Sequence, residues 1–215
     1  MIIRSFRYLR ARYRYYRRCG YLPQILRGLG KDFSIISSNC FGGRIYQDIN
    51  KSYDSPTAGL FFFFDDYVEF VEKFDDYIGR EIVQIKISKW DLANKKMKDR
   101  EFVYPIGQIA GTNVEIHFLH YRTWDEAKEK WSRRIQRINH DNTTFIGFYQ
   151  NLPNEESAVR FLKSDKRTIL FSTKEMPSYK NCLYISEFQK LQECPNPYIY
   201  ARIYYKYLAN YFKRQ

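Results

Sequence analysis

The sequence predicts an α/β fold in which a mainly parallel sheet is flanked by helices. Short β-branched and aromatic runs alternate with segments of helical periodicity, the pattern of strands joined by helices. The run at 33–43, FSIISSNCFGG, is an apolar segment that ends in polar residues and a glycine pair, as strands do at the mouth of such a sheet. With 215 residues, the chain is long enough for one well-cored domain.

Each element is predicted by its own pattern. The apolar runs predict strands at 33–38, 60–64, 81–87, 114–121, 143–149, 168–172 and 182–185. Amphipathic periods predict helices at 44–50, 66–78, 124–139, 155–163 and 198–212. The segment 89–101 is expected to be a charged surface helix or an excursion of the chain, and 104–110 is expected to be a loop. We divide the chain into a basic amphipathic arm at 1–31, an α/β domain at 32–190 and an aromatic C-terminal helix at 191–215, which we expect to pack beside the arm.

The positive charge is concentrated at the N-terminus. Residues 1–31 hold eight arginines, one lysine and no acidic residue, which is +9 of the formal net charge of +12. Apolar and aromatic residues recur there at spacings of three and four, which predicts a helix with one apolar face that ends near Gly20 or Pro23. The residues predicted to contact an anionic membrane are Phe6, Arg7, Leu9, Arg10, Tyr13, Arg14, Arg17 and Arg18. Two alternatives stay open, in which the arm binds nucleic acid or docks on its own domain.

We expect a cytoplasmic protein that is peripheral to the inner face of the cell membrane. The four cysteines, Cys19, Cys40, Cys182 and Cys194, show no C-x-x-C spacing, and no secretory signal is recognisable, which favours a reducing compartment without a zinc site. The longest wholly apolar run, 59–64, is far shorter than the ~20 residues of a spanning helix. On this interpretation, removal of residues 1–20 leaves the stability of the domain nearly unchanged.

The first candidate site follows the strand at 33–38. Cys40 stands where the strand meets the glycine turn, and its thiol would be a nucleophile if a neighbouring base favoured the thiolate. Asn39 and the backbone amides of Gly42 and Gly43 would then stabilise an oxyanion or bind phosphate. The alternative is that Cys40 is an inert packing residue and the glycines only shape the turn.

The second candidate site is the predicted strand-to-helix junction at 116–139. Thr123 and Glu126 have the spacing of a capping box, so a helix is expected to begin there. His117 and His120 are three residues apart in a strand and point to opposite faces, which argues against one shared metal. His120 is nearer the strand's end and is the candidate acid or base, with a structural histidine as the alternative.

Arg134 and the pair Asp65–Asp66 are further candidates. Arg134 flanks the apolar face of its helix, where a guanidinium could hold a phosphate or carboxylate with two hydrogen bonds. The acidic pair resembles the metal-binding pairs of nucleotide-sugar transferases, but Asp66 and Glu69 also have the spacing of a capping box, which favours a helix start. The common nucleotide-binding, zinc-protease and hydrolase signatures are absent from the sequence.

Four segments carry a family resemblance in their sequence and their order. They are SIISSNCFGGRIYQ at 34–47, YDSPTAGLFFFFDDYVEF at 53–70, YPIGQI at 104–109 and VEIHFLHYRTWDEAKEKWSRRIQRIN at 114–139. With them, 33–185 resembles a bacterial family known as domain of unknown function 1919. The resemblance implies a Rossmann-like α/β fold and, because members are often labelled exopolysaccharide or capsule biosynthesis proteins, a role in surface-polysaccharide assembly. It supplies no catalytic residues, and Phe41 stands where the family often has tryptophan.

These observations predict an enzyme of surface-polysaccharide synthesis that transfers an acyl or glycosyl group on a lipid-linked or nucleotide-linked sugar. In this hypothesis, Cys40 and His120 are catalytic, and Asn39, Gly42, Gly43 and Arg134 bind the substrate. The alternatives are a metal-dependent transferase that uses Asp65 and Asp66, a non-catalytic glycan-binding or scaffold protein, and a nucleic-acid-binding protein led by the arm. The residues identify no cofactor.

Overall fold

The computed structural model describes residue 13, residues 15–16, residues 18–99 and residues 103–215. Residues 13, 15–16 and 18–19 are helical, and a turn follows at Gly20. The remaining residues of the predicted membrane-binding face, Phe6, Arg7, Leu9, Arg10, Arg14 and Arg17, lie outside the described residues. Lipid binding by the arm therefore stays a prediction.

Helices and strands are interspersed along the described chain, as in other α/β folds. The helices are α1 (Leu22–Leu29), α2 (Phe41–Asp48), α3 (Phe64–Glu72), α4 (Phe74–Tyr77), α5 (Asp91–Lys98), α6 (Trp124–Ile135), α7 (Glu155–Lys163) and α8 (Ala201–Lys213). The strands are β1 (Ser34–Ser37), β2 (Ile82–Ile85), β3 (Ile106–Ile109), β4 (Glu115–His117), β5 (Thr143–Phe148), β6 (Thr168–Ser172) and β7 (Cys182–Tyr184). None of the described helices is long and apolar enough to cross a membrane.

The larger sheet is parallel, which confirms the predicted fold class. Its strand order is β1-β5-β6-β7, with Ser34 opposite Thr143, Phe145 opposite Thr168, and Leu170 opposite Cys182. Helices α2, α3, α7 and α8 pack against it. Strands β1 and β6 are buried along their whole length, as expected for parallel strands covered by helices.

A second, antiparallel sheet was not predicted. It has the order β2-β3-β4, with Ile85 opposite Ile106 and Ile106 opposite His117. The expectation of a loop at 104–110 is wrong because β3 lies there and turns back into β4 through Gly111, whose φ of 74° favours glycine. The strands predicted at 33–38 and 114–121 therefore do not share one parallel sheet, since β1 and β4 belong to different sheets.

Two predicted element boundaries shift near the first candidate site. Helix α2 begins at Phe41 rather than at 44, so the glycine pair lies inside its first turn. A Cβ atom at Gly42 would lie 2.9 Å from Cγ2 of Ile35, so the close approach of this helix to β1 requires glycine. The strand predicted at 60–64 is reduced to a single bridge between Phe61 and His117, because α3 already begins at Phe64.

One hydrophobic core includes residues from all three predicted regions of the chain, such as Ile25, Ile35 and Leu208. Phe41 lies at its centre, with its ring 5.2 Å from that of Phe148 in an edge-to-face contact. Helices α1 and α8 pack together, as expected for the arm and the C-terminal helix.

A buried ion pair ties the end of the N-terminal helix to the domain. Arg18 is 7% exposed, and its guanidinium donates two hydrogen bonds to the carboxylate of Asp48, which is 6% exposed. The hydroxyl of Tyr205 donates to the same carboxylate at 2.9 Å. Arg18 is therefore not part of a lipid-facing surface. The ion pair argues against the expectation that residues 1–20 are dispensable for stability, because Asp48 would lose its charged partner.

We expect Asp48→Ala to lower the free energy of unfolding by about 3–5 kcal/mol, because it leaves the Arg18 charge buried without a partner. Chemical denaturation followed by circular dichroism measures this change. Glu81→Gln removes the exposed ion pair with Lys128 and should leave the transition nearly unchanged. Equal midpoints for Asp48→Ala and the unmodified protein would contradict the role given to this pair.

Candidate functional site

A cleft of about 770 Å³ lies between the two sheets, next to the N-terminal end of α2. It contains most of the candidate site residues together with aromatic rings, carboxamides and cations. Its lining residues are Asn39, Cys40, Gly43, Gln47, Tyr53, Ala58, Gly59, Phe61, Lys96, Tyr104, Leu119, His120, Tyr121, Lys130, Arg134, Gln150, Asn151, Asn196, Pro197 and Tyr198. Among the described residues, therefore, no aspartate or glutamate lines this cleft.

The extended segment 59–63 brings the two candidate junctions to one cleft although they belong to different sheets. The amide of Phe62 donates to the carbonyl of Ser38 at the end of β1, at 2.9 Å. Phe61 exchanges two backbone hydrogen bonds of 2.9 Å with His117 of β4, and the amide of His120 donates to the carbonyl of Gly59. The segment therefore helps to bring Cys40 and His120 to the same cleft, which both residues line.

The thiol of Cys40 faces the cleft but is not activated. Its Sγ donates to the carbonyl of Leu60 at 3.6 Å. Burial raises the pKa of this thiol to about 11, because the thiolate would lose its hydration. A catalytic thiolate requires the opposite direction, so the structure favours a neutral Cys40 over the predicted nucleophile.

The predicted phosphate-binding turn is largely occupied by its own hydrogen bonds. The side chain of Asn39 accepts from the amide of Phe41 at 3.0 Å and donates to Gln150 at 3.1 Å. The amide of Gly42 donates to Oγ of Ser37 at 3.0 Å. Gly42 therefore does not line the cleft, and its amide is not available to an oxyanion or phosphate, whereas Asn39 and Gly43 do line it.

The two histidines of the second junction have separate environments, as predicted. His120 lines the cleft, and partial burial lowers its pKa, so its ring is neutral at pH 7 and can accept a proton. His117 is fully buried, stacks on Phe61 with a centroid distance of 4.7 Å and lies 3.5 Å from Glu115. His120 is therefore the histidine that can reach a ligand.

Arg134 lies in the wall of the cleft. The sequence placed it beside the apolar face of its helix. Helix α6 begins directly after Thr123, whose side chain accepts from the amide of Glu126 as the capping box predicts. Nη1 of Arg134 donates to the carbonyl of Ala58 at 2.9 Å and to the hydroxyl of Tyr121 at 2.5 Å. The guanidinium lies over the ring of Tyr53, 4.7 Å from its centroid.

The carboxylates of Asp65 and Asp66 have partners within the fold. Asp66 is buried and accepts from Lys89 at 2.5 Å and from the indole of Trp90 at 2.7 Å. Asp65 accepts from Ser157 at 2.6 Å. Because the two carboxylates have different partners, and because the described residues contain no cluster of metal ligands, the metal-binding alternative is not supported. Phe63, not Asp66, precedes α3, so the capping box predicted there does not form.

Sequence reasoning missed an aromatic wall of the cleft formed by Tyr53 and Tyr198. Gln47 links them, since its side chain donates to the hydroxyl of Tyr53 and accepts from that of Tyr198, both at 2.9 Å. The guanidinium of Arg44 lies 3.5 Å from the centroid of the Tyr198 ring. No motif marks these residues, and a tyrosine-rich composition alone did not single them out.

Alkylation of Cys40 by iodoacetamide should be slow at pH 7 and should rise steadily towards pH 11. With a pKa of about 11, its thiolate fraction at neutral pH is roughly 100-fold below that of an ordinary cysteine. Peptide mass spectrometry at a series of pH values gives the rate, and the unfolded chain in urea is the control. Labelling of Cys40 at pH 7 that is faster than that of Cys19, Cys182 and Cys194 would restore the nucleophile hypothesis.

Comparison with known proteins places the whole cleft within one family. The family model described as domain of unknown function (DUF1919) matches residues 23–214. An uncharacterised protein of Haemophilus influenzae is 28% identical over 158 residues, which cover 73% of this chain and 69% of that protein. A DExH-box ATP-dependent RNA helicase, DExH12, of Arabidopsis thaliana is 28% identical over 125 residues, which cover 53% of this chain but 6% of the helicase. Because the family match includes both sheets and every lining residue of the cleft, the chain belongs to the DUF1919 family.

Proposed function

We propose that this protein is a group transferase of surface-polysaccharide assembly. Its substrate is a lipid-linked or nucleotide-linked sugar. The protein has a Rossmann-like fold and acts at the inner face of the cell membrane. The observation that carries this proposal is the composition of the cleft, in which aromatic rings, carboxamides and cations surround His120.

This combination of side chains suits a phosphorylated sugar. Aromatic rings such as Tyr53 and Tyr104 offer apolar faces to a sugar ring, and carboxamides such as Gln150 and Asn196 can both donate to and accept from its hydroxyls. The cations suit the phosphate that a lipid-linked or nucleotide-linked sugar carries. Convergent polar groups in a largely apolar cleft are typical of binding sites for small molecules.

Direct transfer agrees better with this cleft than transfer through a covalent intermediate on Cys40. The neutral His120 takes a proton from an acceptor hydroxyl, whose oxygen forms a bond to the sugar carbon of the donor. The bond from that carbon to the phosphate oxygen breaks, and the phosphate leaves with the electron pair. The neutral thiol of Cys40, bonded to the carbonyl of Leu60, takes no part in this step.

A non-catalytic glycan-binding protein is the second candidate, and the raised pKa of Cys40 favours it over an enzyme with a thiol nucleophile. Such a protein binds a glycan in the same cleft and transfers no group. Incubation of the protein with donor and acceptor sugars, followed by mass spectrometry of the products, separates binding from turnover.

We expect His120→Gln to lower kcat by about 10²- to 10⁴-fold while the affinity for the donor sugar changes little, because the variant loses the base. His140→Gln is the matched control, since His140 lies in a short helix away from this cleft. Activity of the unmodified protein should rise with pH through a midpoint below 6.5 and then stay level, because the pKa of His120 is lowered. Full activity of His120→Gln would contradict the assignment.

The arm should bring this activity to an anionic membrane. Deletion of residues 1–12 removes four arginines and should weaken binding to vesicles that contain phosphatidylserine by about tenfold or more. Arg18 stays in this variant, so its ion pair with Asp48 is kept. Co-sedimentation with anionic and neutral vesicles at low and high salt measures the effect. Equal binding to both vesicle types, or tighter binding to single-stranded DNA, would overturn the membrane proposal.

A further inference from the structure

We propose that the cleft is built to hold a diphosphate group, with Arg134 as its fixed contact and Lys96 and Lys130 as flexible ones. This inference rests on the proposed function and narrows its substrate class to sugars that are joined to a diphosphate. The wall of the cleft contains a buried positive charge, that of Arg134, which no described carboxylate balances.

Two arginines of this chain are buried to the same extent, but one of them has no carboxylate partner. Arg18 and Arg134 are both 7% exposed. Arg18 forms an ion pair with Asp48, whereas Arg134 forms none with any described carboxylate and has only a carbonyl and a hydroxyl as acceptors. Because burial of a charge is costly unless an opposite charge compensates it, Arg134 is a site for an anion.

The guanidinium of Arg134 is held in one orientation before any ligand binds. Both hydrogen bonds of Nη1 go to the protein, and the ring of Tyr53 supports the guanidinium plane. The N–H groups of Nε and Nη2 have no acceptor among the described residues. One edge of the planar group therefore remains for two oxygens of a phosphoryl group, the arrangement that arginine forms with phosphates.

The total charge of the cleft suits a diphosphate better than a single carboxylate. Lys96 and Lys130 line the same space as Arg134, and no described carboxylate does. Lys130 pairs with Glu126 at 2.5 Å, but both side chains are about one-third exposed, so this pair is weak and the ammonium can turn to a ligand. Three cations around one space match the several negative charges of a diphosphate.

The aromatic wall determines where the rest of the substrate lies. Gln47 holds Tyr53 and Tyr198 together, and Tyr53 also supports Arg134. A sugar attached to a diphosphate at Arg134 is thereby placed next to an ordered aromatic surface. Because the anion site at Arg134 lies next to the proposed sugar site, one sugar diphosphate can occupy both.

Isothermal titration calorimetry of the full chain with inorganic diphosphate tests the anion site. We expect saturable binding that weakens with added salt, and Arg134→Gln should weaken it by about 10- to 100-fold, because it removes a charged double hydrogen bond. Arg133→Gln is the matched control, with the same charge change at the neighbouring position, where Arg133 is exposed and paired with Glu129. An equal loss in the two variants, no binding of diphosphate, or equal affinity for acetate would overturn the inference.

If thermal melts show that Arg134→Gln is unfolded, Tyr121→Phe provides a second test of the anion site. It removes the hydroxyl that orients Arg134 and leaves the charge, so we expect diphosphate affinity to fall about 3- to 10-fold. Unchanged affinity in Tyr121→Phe would contradict the fixed orientation on which the inference depends.

Uridine diphosphate and geranyl diphosphate distinguish a nucleotide from a lipid as the source of the group. Either one binding more tightly than inorganic diphosphate, in a manner that depends on Arg134, supports the inference and identifies the source. If diphosphates bind at Arg134 but attached sugars add no affinity and no transfer occurs, the inference stands and the proposed function fails. If sugar substrates bind and react equally well in Arg134→Gln, the inference fails and the proposed function stands.

Discussion

The site depends on the backbone hydrogen bonds of the segment 59–63. They join the end of β1, through Ser38, to β4, through His117, and the carbonyl of Gly59 fixes the amide of His120. The parallel sheet and the antiparallel sheet share no strand, so this segment gives Cys40 and His120 their common cleft. The pairing also fixes which side chains turn inwards, because a shift by one residue would exchange the places of Phe61 and Phe62.

Some charged side chains stabilise the fold through ion pairs, and others line the cleft. Buried carboxylates have partners within the fold, as Asp48 has in Arg18 and Asp66 has in Lys89. The cleft, in contrast, is lined by cations, and no described carboxylate lines it. A buried charge without a partner lowers stability, so its presence in Arg134 is most simply explained by a ligand that supplies the opposite charge.

The sequence predicted the elements that local pattern determines and missed those that depend on distant pairing. The helix at Glu155–Lys163 and the strand at Thr168–Ser172 form with the predicted bounds, since their periodicities are clear. Strand β3 was missed because IGQI gains its conformation from partners in β2 and β4. His120 could be chosen from its place near a strand end and Arg134 from its place beside the apolar face of a helix. The contact of Tyr198 with Gln47 could not, because it joins residues 151 positions apart. The raised pKa of Cys40 likewise follows from burial in the folded chain and not from its neighbours in sequence.

A crystal structure of the protein with a nucleoside diphosphate sugar would show whether this cleft binds a diphosphate-linked sugar. We expect phosphoryl oxygens within hydrogen-bond distance of Nε and Nη2 of Arg134 and the sugar ring between the aromatic wall and His120. A ligand bound outside this cleft, or one inside it whose phosphoryl groups lie away from Arg134, would rule out the proposed mode of binding.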